Sequence, residues 1–106
     1  MSNFSDMLSK AKKMQEKMKE VQDLIRKIEV QGQSGGNLVK VTLTGEYELK
    51  SIELSDEAKK EKQEIINDLI IAAYNNAKQN LKKKSSEELS KITGGLNIPF
   101  DLKFPL

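Results

Sequence analysis

The chain has 106 residues, of which 32% are charged, 37% hydrophobic and 5% aromatic, and its formal net charge is +2. This length suits one domain, and the composition is lean for a monomeric core yet too apolar for a disordered chain. We therefore expect one domain that pairs with a second copy. The chain has no cysteine and no histidine, which argues against a disulfide framework, a zinc site and histidine-based acid–base catalysis.

The charges are distributed unevenly along the chain. Residues 1–29 and 74–106 carry net charges of +2 and +3, whereas residues 30–73 carry −3. The longest apolar run, residues 69–74, is too short to span a bilayer, and no signal-peptide pattern opens the chain. These features predict a soluble, cytoplasmic protein with basic ends.

The first predicted element is a helix of roughly 25 residues, about 38 Å long. Asn3 is the predicted N-cap, and Asp6 places a carboxylate in the first turn. Apolar residues then recur at alternating steps of three and four, as in a heptad repeat: Phe4, Met7, Ala11, Met14, Met18, Val21, Ile25 and Ile28. Such a helix is longer than any sheet this chain can form, so part of its apolar face should meet another helix.

The outer face of this helix carries basic residues at heptad spacing. Lys12, Lys19 and Arg26 repeat every seven residues, about 10.5 Å apart. Lysines 10, 13 and 17 lie beside them. Either a solvated helix face or a series of phosphate contacts explains this pattern.

Three strands follow, at residues 29–33, 38–44 and 47–54, and predict an antiparallel meander. Val39, Val41 and Leu43 alternate with polar residues, as in a half-buried strand. The apolar pattern of the third strand shifts near residues 50–51, which indicates a bulge. The glycines of "GQSGGN" precede a strand and lack the Gly-Lys-Ser/Thr of a phosphate-binding loop, so they indicate a turn.

A second helical region is predicted from Ser55 onward, with Ser55 as its cap and acidic residues in its first turn. Its apolar face comprises Ile65, Ile66, Leu69, Ile70, Ala73, Ala77 and Leu81. The Ser85/Glu88 pair is compatible with a separate last helix or with one continuous helix ended by Gly94-Gly95. Lysines 78, 82, 83 and 84 form the densest basic cluster. Residues 97–106 form a Pro-containing tail.

Four segments in this order resemble the YbaB/EbfC family of bacterial nucleoid-associated proteins. They are "KAKKMQEKMKEVQDLI", "VQGQSGGNLVKVTLTGEYELKSIEL", "DLIIAAYNNAKQ" and "GGLNIPF". The resemblance covers residues 1–96 as one domain. It implies an α+β fold (α-β-β-β-α), homodimers whose first and last helices project as arms, and binding to double-stranded DNA with little or modest sequence preference. The final "FDLKFPL" departs from the family pattern.

The resemblance attributes DNA contact to the projecting helices, which gives a predicted set of contact residues. They are Lys10, Lys12, Lys13, Lys17, Lys19, Arg26, Lys78, Lys82, Lys83 and Lys84. Contacts from such residues neutralise phosphates and make affinity salt-dependent. Because no base-reading motif is present, we expect contacts that position the DNA rather than read its sequence.

Other functions receive less support from the sequence. Most of the aromatic residues (Phe4, Tyr47, Tyr74, Phe100 and Phe104) look buried, which disfavours a stacking surface for single strands. No nucleophile–base pair suggests an enzyme, and no cofactor, metal or small-molecule substrate is expected. The remaining alternative is a coiled-coil module that binds another protein through its apolar seam without contacting DNA.

Overall fold

A computed structural model describes residues 2–93. Its elements follow the order α-β-β-β-α, with one additional short helix, and the three strands form an antiparallel sheet in the order β1-β2-β3. The elements are α1 (Ser2–Lys27), β1 (Glu29–Ser34), β2 (Val39–Thr44), β3 (Leu49–Leu54), α2 (Asp56–Lys59) and α3 (Gln63–Thr93). The predicted fold class is confirmed.

Helix α1 contains 26 residues, which corresponds to about 39 Å. Neither glycine nor proline interrupts it. The helix already begins at Ser2, so Asn3 lies within it and the predicted N-cap at Asn3 is wrong. The predicted meeting of this helix with a second one is confirmed, because α1 packs against α3.

The sheet has the predicted alternation and bulge. Val39, Val41 and Leu43 of β2 are fully buried. Thr42 pairs with Ser51 and Leu43 pairs with Leu49, so Lys50 is the extra residue of β3. Bulges of this kind restore the inward direction of the following apolar residues.

Two turns join the strands. Gly35 and Gly36 adopt φ values of 59° and 75° between β1 and β2, a conformation that glycine accepts without steric cost. The predicted glycine turn is therefore confirmed. Tyr47 also has a positive φ, 64°, and lies in the turn before β3; its predicted place in the third strand is wrong.

Helix α3 lies directly on β1, because Gly32 permits a very close approach. A Cβ atom at Gly32 would lie 2.2 Å from the Ala73 carbonyl oxygen and 2.2 Å from the Ala77 nitrogen. Two α3 side chains also bond to the outer edge of β1: the Gln33 N–H donates to Asn76 Oδ1 (3.0 Å), and Asn80 Nδ2 donates to the carbonyl of residue 31 (2.8 Å). These bonds occupy groups that an edge strand would otherwise offer to another strand.

The second helical region is divided. Ser55 caps α2 as predicted, since its hydroxyl accepts the Ala58 N–H at 3.0 Å. The chain then leaves the helix at residues 60–62 before α3 begins, a break that the polar sequence did not reveal. Between the two alternatives for residues 85–92, the structure has one continuous helix.

The core lies between the sheet, α3 and the C-terminal end of α1. Its buried members are Val21, Ile25, Ile28, Val39, Val41, Leu43, Ala58, Ala73, Ala77, Leu81 and Leu89. The molecule is elongated, with principal dimensions of 72 × 20 × 18 Å. Within residues 2–93, no helix is both long enough and apolar enough to cross a membrane.

Candidate nucleic-acid interface

The N-terminal part of α1 projects from the core as an arm. All side chains from residue 3 to residue 20 are exposed, whereas Val21, Ile25 and Ile28 are buried. We call residues 3–20 the α1 arm; at 1.5 Å per residue it extends about 26 Å. The heptad pattern continues across this boundary, so the change in burial marks where α3 stops covering α1.

Five of the predicted contact residues lie on the α1 arm. They are Lys10, Lys12, Lys13, Lys17 and Lys19. None forms an ion pair within residues 2–93. The arm also carries three carboxylates, Asp6, Glu16 and Glu20, so its excess of positive charge is two. The lysines cover about 14 Å of helix, a length comparable to several phosphate spacings on duplex DNA.

Arg26 differs from the five lysines because it lies at the base of the arm, beside carboxylates. Its guanidinium is 3.9 Å from the Asp23 carboxylate and 3.6 Å from that of Glu46. Both ion pairs are solvent-exposed, so each is weak and sensitive to salt. Arg26 therefore extends the basic stripe geometrically but contributes less free positive charge than the lysines of the arm.

The predicted lysine cluster of α3 does not form a single surface. Successive helical residues advance by about 100°, so Lys82, Lys83 and Lys84 point in three directions. Lys78 and Lys82 share one side of the helix because they are four residues apart. The ammonium of Lys78 lies 5.9 Å from the centre of the Tyr74 ring, in cation–π range.

Glu88 neutralises part of the positive charge on α3. Its carboxylate lies 3.8 Å from the Lys84 ammonium and 3.4 Å from that of Lys91. The two pairs have i,i+4 and i,i+3 spacing, which can be recognised in the sequence. The prediction of DNA-contact residues did not take this spacing into account. Among the four predicted α3 lysines, Lys78, Lys82 and Lys83 have no ion pair within the described chain, and Lys78 has its cation–π contact.

The exposure of the aromatic residues differs from the prediction. Phe4 is 71% exposed on the α1 arm and Tyr47 is 37% exposed, so these two are not buried. Tyr74 is half-buried beside the core. Phe100 and Phe104 lie outside the described residues. The exposed rings are on different elements, the arm and the β2–β3 turn, so they do not make a continuous stacking surface.

An apolar surface lies on the sheet, away from the arm. Leu49 and Ile52 pair with Leu43 and Val41 and so face the same side as these buried residues. Helix α3 covers β1 and β2, which leaves Leu49 and Ile52 of β3 45% and 44% exposed. Ile71 of α3 is 58% exposed. We call Leu49 and Ile52 the β3 apolar surface.

The described residues also bear on metal and phosphate chemistry. Across residues 2–93, no group of three or more acidic side chains is arranged to hold a metal ion. The glycine turn at residues 35–38 leads into β2, not into a helix, so it lacks the helix N-terminus that phosphate loops use. We therefore consider the basic surfaces of α1 and α3 as the candidate interface.

Comparison with known proteins identifies the family of this chain. The sequence model of the YbaB/EbfC DNA-binding family matches residues 1–96. The chain belongs to the YbaB/EbfC DNA-binding family. The predicted family membership is confirmed.

Similar proteins come from several bacteria. A nucleoid-associated protein of Granulibacter bethesdensis is 37% identical over 106 residues, covering 99% of each chain. One from Hahella chejuensis is 36% identical over 103 residues, covering 97% of this chain and 95% of its own. The crystal structure of an uncharacterized protein from Helicobacter pylori shares the fold, with a TM-score of 0.71 at 17% identity over 89% of this chain and 100% of its own.

Proposed function

We propose that this protein binds double-stranded DNA at the nucleoid, mainly through phosphate contacts from lysines of the α1 arm. The observation that carries the proposal is the projection of five lysines, none with an ion pair among residues 2–93, on an arm that no described element covers. Lysines in such a position can approach a duplex without disturbing the core. Membership of a DNA-binding family and the names of the bacterial relatives support the same partner.

The proposed contacts carry little sequence information. Lysine ammonium groups bind phosphates as point charges, whereas base discrimination relies mostly on bidentate contacts from residues such as Arg, Asn and Gln. The arm contains one asparagine, Asn3, one glutamine, Gln15, and no arginine. Binding therefore depends on counterion release and shows little or modest preference among sequences.

The predicted α3 lysines divide into two groups under this proposal. Lys82 and Lys83 have no ion pair among residues 2–93 and add to the phosphate contacts, while the Lys84 ammonium lies 3.8 Å from the Glu88 carboxylate. Lys78 and Arg26 make secondary contributions because each already has a neighbouring partner. All ten predicted residues thus remain candidates for DNA contact, and the lysines of the α1 arm are expected to contribute most.

Fluorescence anisotropy of a labelled random-sequence duplex tests the DNA proposal. Affinity should fall steeply between about 50 and 200 mM salt, linearly in logarithmic coordinates. Duplexes of different sequence should compete within a few-fold of one another. No binding at the lowest salt contradicts the proposal and favours the protein-binding coiled-coil module, whose support is the apolar seam on the same arm.

We infer that the protein acts as a homodimer formed through the β3 apolar surface. Leu49 and Ile52 extend a buried apolar sheet face that α3 leaves uncovered. Covering it with the same surface of a second copy gives a two-fold interface. A dimer also presents two arms, so that simultaneous engagement raises the apparent DNA affinity.

Sedimentation velocity of Ile52→Glu tests the dimer. The substitution places a carboxylate on the β3 apolar surface and should shift the protein to monomer. Ser51→Glu is the matched control, since the adjacent residue points to the other side of the sheet. Circular dichroism checks that both variants fold. A dimer that persists in Ile52→Glu contradicts this interface while leaving DNA binding by the arm untouched.

A further inference from the structure

The middle of α3 carries four side-chain amides that form two pairs. Asn76 and Asn80 turn toward the sheet and bond to the edge of β1 at 3.0 and 2.8 Å. Asn75 and Gln79 are exposed, and neither side chain has a hydrogen bond to any of residues 2–93. The contact of α3 with the sheet therefore does not use Asn75 or Gln79, whose amides remain available to a ligand.

Asn75 and Gln79 lie on the side of α3 that faces away from the sheet. Each follows a buried alanine of the β1 contact, Ala73 or Ala77, by two residues, which is about 200° around the helix. The two amides are four residues apart, about 40° around the helix and about 6 Å along it. Ala72, which is also exposed, lies three residues before Asn75. We call Ala72, Asn75 and Gln79 the outer face of α3.

The charge around this outer face is entirely positive. Residues 69–86 contain no aspartate or glutamate and four lysines, whereas the α1 arm combines five lysines with three carboxylates. Relative to Gln79, Lys82 lies about 60° to one side of the helix and Lys83 about 40° to the other. The divergence that keeps these lysines from forming one basic surface thus places an ammonium on each side of the amides. A polyanion with two charged strands matches this arrangement.

We propose that the outer face of α3 enters the major groove of double-stranded DNA and contacts adenine and thymine there. The major groove is about 12 Å wide and admits an α-helix, and an Asn or Gln amide matches the N6 donor and N7 acceptor of adenine. The distance of about 6 Å between the two amides along the helix corresponds to about two base steps of about 3.4 Å. Ala72 is suited to contact with a thymine methyl group, while Lys82 and Lys83 bind phosphates on the two walls of the groove.

This inference rests on the proposed DNA binding and deepens it by naming the preferred bases. The lysines of the α1 arm supply affinity without reading bases, whereas the outer face of α3 favours A·T pairs over G·C pairs. Because neither amide is held by a hydrogen bond before binding, the ordering of both side chains offsets part of the gain from the new bonds. The preference between duplexes of equal length is therefore modest, about three- to fivefold.

Competition anisotropy on the full-length protein tests the base contacts. The competitors are an A·T-rich duplex, a G·C-rich duplex of equal length, and the A·T-rich duplex with 7-deazaadenine, which removes the N7 acceptor from the major groove and leaves the minor groove intact. The unsubstituted protein should prefer the natural A·T-rich duplex about three- to fivefold over the other two. Asn75→Ala/Gln79→Ala should bind all three equally, with an unchanged salt dependence because no charge is removed.

The matched control is Gln63→Ala/Asn67→Ala. It removes the same two residue types at the same i,i+4 spacing from the same helix, where their side chains bond to each other at 2.8 Å, and it should keep the preference. Circular dichroism checks that both double variants fold.

Three results would overturn the proposed base contacts. An A·T preference that survives in Asn75→Ala/Gln79→Ala, or that persists with 7-deazaadenine, assigns the preference to DNA shape or to the minor groove. Binding with no preference in the unsubstituted protein overturns the base contacts and leaves the phosphate contacts of the α1 arm standing. Absence of binding to every duplex contradicts the proposed DNA binding itself, so the two failures are distinguishable.

Disulfide trapping tests the placement of α3 independently, since the natural chain has no cysteine. Gln79→Cys should couple, under mild oxidation, to a duplex that carries a thiol tether on adenine N6 in the major groove. The reaction should be at least about fivefold faster than with Gln63→Cys, whose position is also exposed on α3. Equal rates overturn the placement of the outer face of α3 in the major groove.

Discussion

The two halves of α1 share one heptad pattern and differ in what surrounds them. Val21 and Ile25 are buried among the sheet, α3 and the turn after β2, while Met14 and Met18, seven residues earlier at the same heptad positions, are exposed. The pattern defines an apolar side but does not fix what covers it. We call residues 21–27 of α1 the anchor. Its buried side chains contribute to stability, whereas the exposed α1 arm is available for binding.

The largest expected difference between the two halves is in stability. Ile25→Ala removes buried atoms and leaves a cavity, so it should lower the free energy of unfolding by about 2–4 kcal/mol. Met14→Ala should cost under about 1 kcal/mol, since Met14 is 64% exposed. Urea denaturation followed by circular dichroism, at one protein concentration, measures both. Equal losses would show that the arm is as well packed as the anchor.

A second prediction concerns the close approach of α3 to β1 at Gly32. This contact positions α3, against which the anchor packs. Gly32→Ala places a methyl group 2.2 Å from backbone atoms of α3. Because backbone atoms must shift, the cost should be about 1–3 kcal/mol. Gln33→Ala at the neighbouring exposed position is the control and should cost less than about 1 kcal/mol. A melting temperature for Gly32→Ala equal to that of the unsubstituted protein would contradict the close α3–β1 approach.

The smallest expected effect is on DNA affinity at the end of α3. Glu88→Gln removes the carboxylate that partners Lys84 and Lys91, and affinity at low salt should rise about two- to fivefold. Glu61→Gln makes the same charge change in the α2–α3 connection, far from the arm, and should change affinity less than twofold. Equal increases in both variants would indicate a net-charge effect without a local contact.

Sequence patterns were sufficient to predict those features that depend on residues close together in the sequence. The strand alternation of Val39, Val41 and Leu43, the bulge at Lys50 and the cap at Ser55 all follow from local spacing and side-chain chemistry, and the structure has each of them. The order of helices and strands was predictable for the same reason, because each element has its own local apolar period.

Features that depend on distant contacts were not predictable in the same way. The burial boundary at Val21 depends on where α3 ends, and the exposure of Phe4 follows from that boundary. The break at residues 60–62 occurs in a uniformly polar stretch without a glycine or proline signal. The role of Glu88 was encoded locally, by its spacing to Lys84 and Lys91, but charge counting alone did not reveal it.

The central claim is that the α1 arm, more than overall charge, binds DNA. Two variants with identical charge change test it: Lys12→Gln/Lys19→Gln on the arm, and Lys60→Gln/Lys62→Gln at the opposite end of α3, where both lysines are exposed. The measurement is the slope of logarithmic affinity against logarithmic salt concentration, by anisotropy with one duplex. The arm variant should weaken binding and reduce the slope by about two for each arm engaged, while the distal variant changes neither. Equal changes in both variants, or no change in the arm variant, would contradict the account.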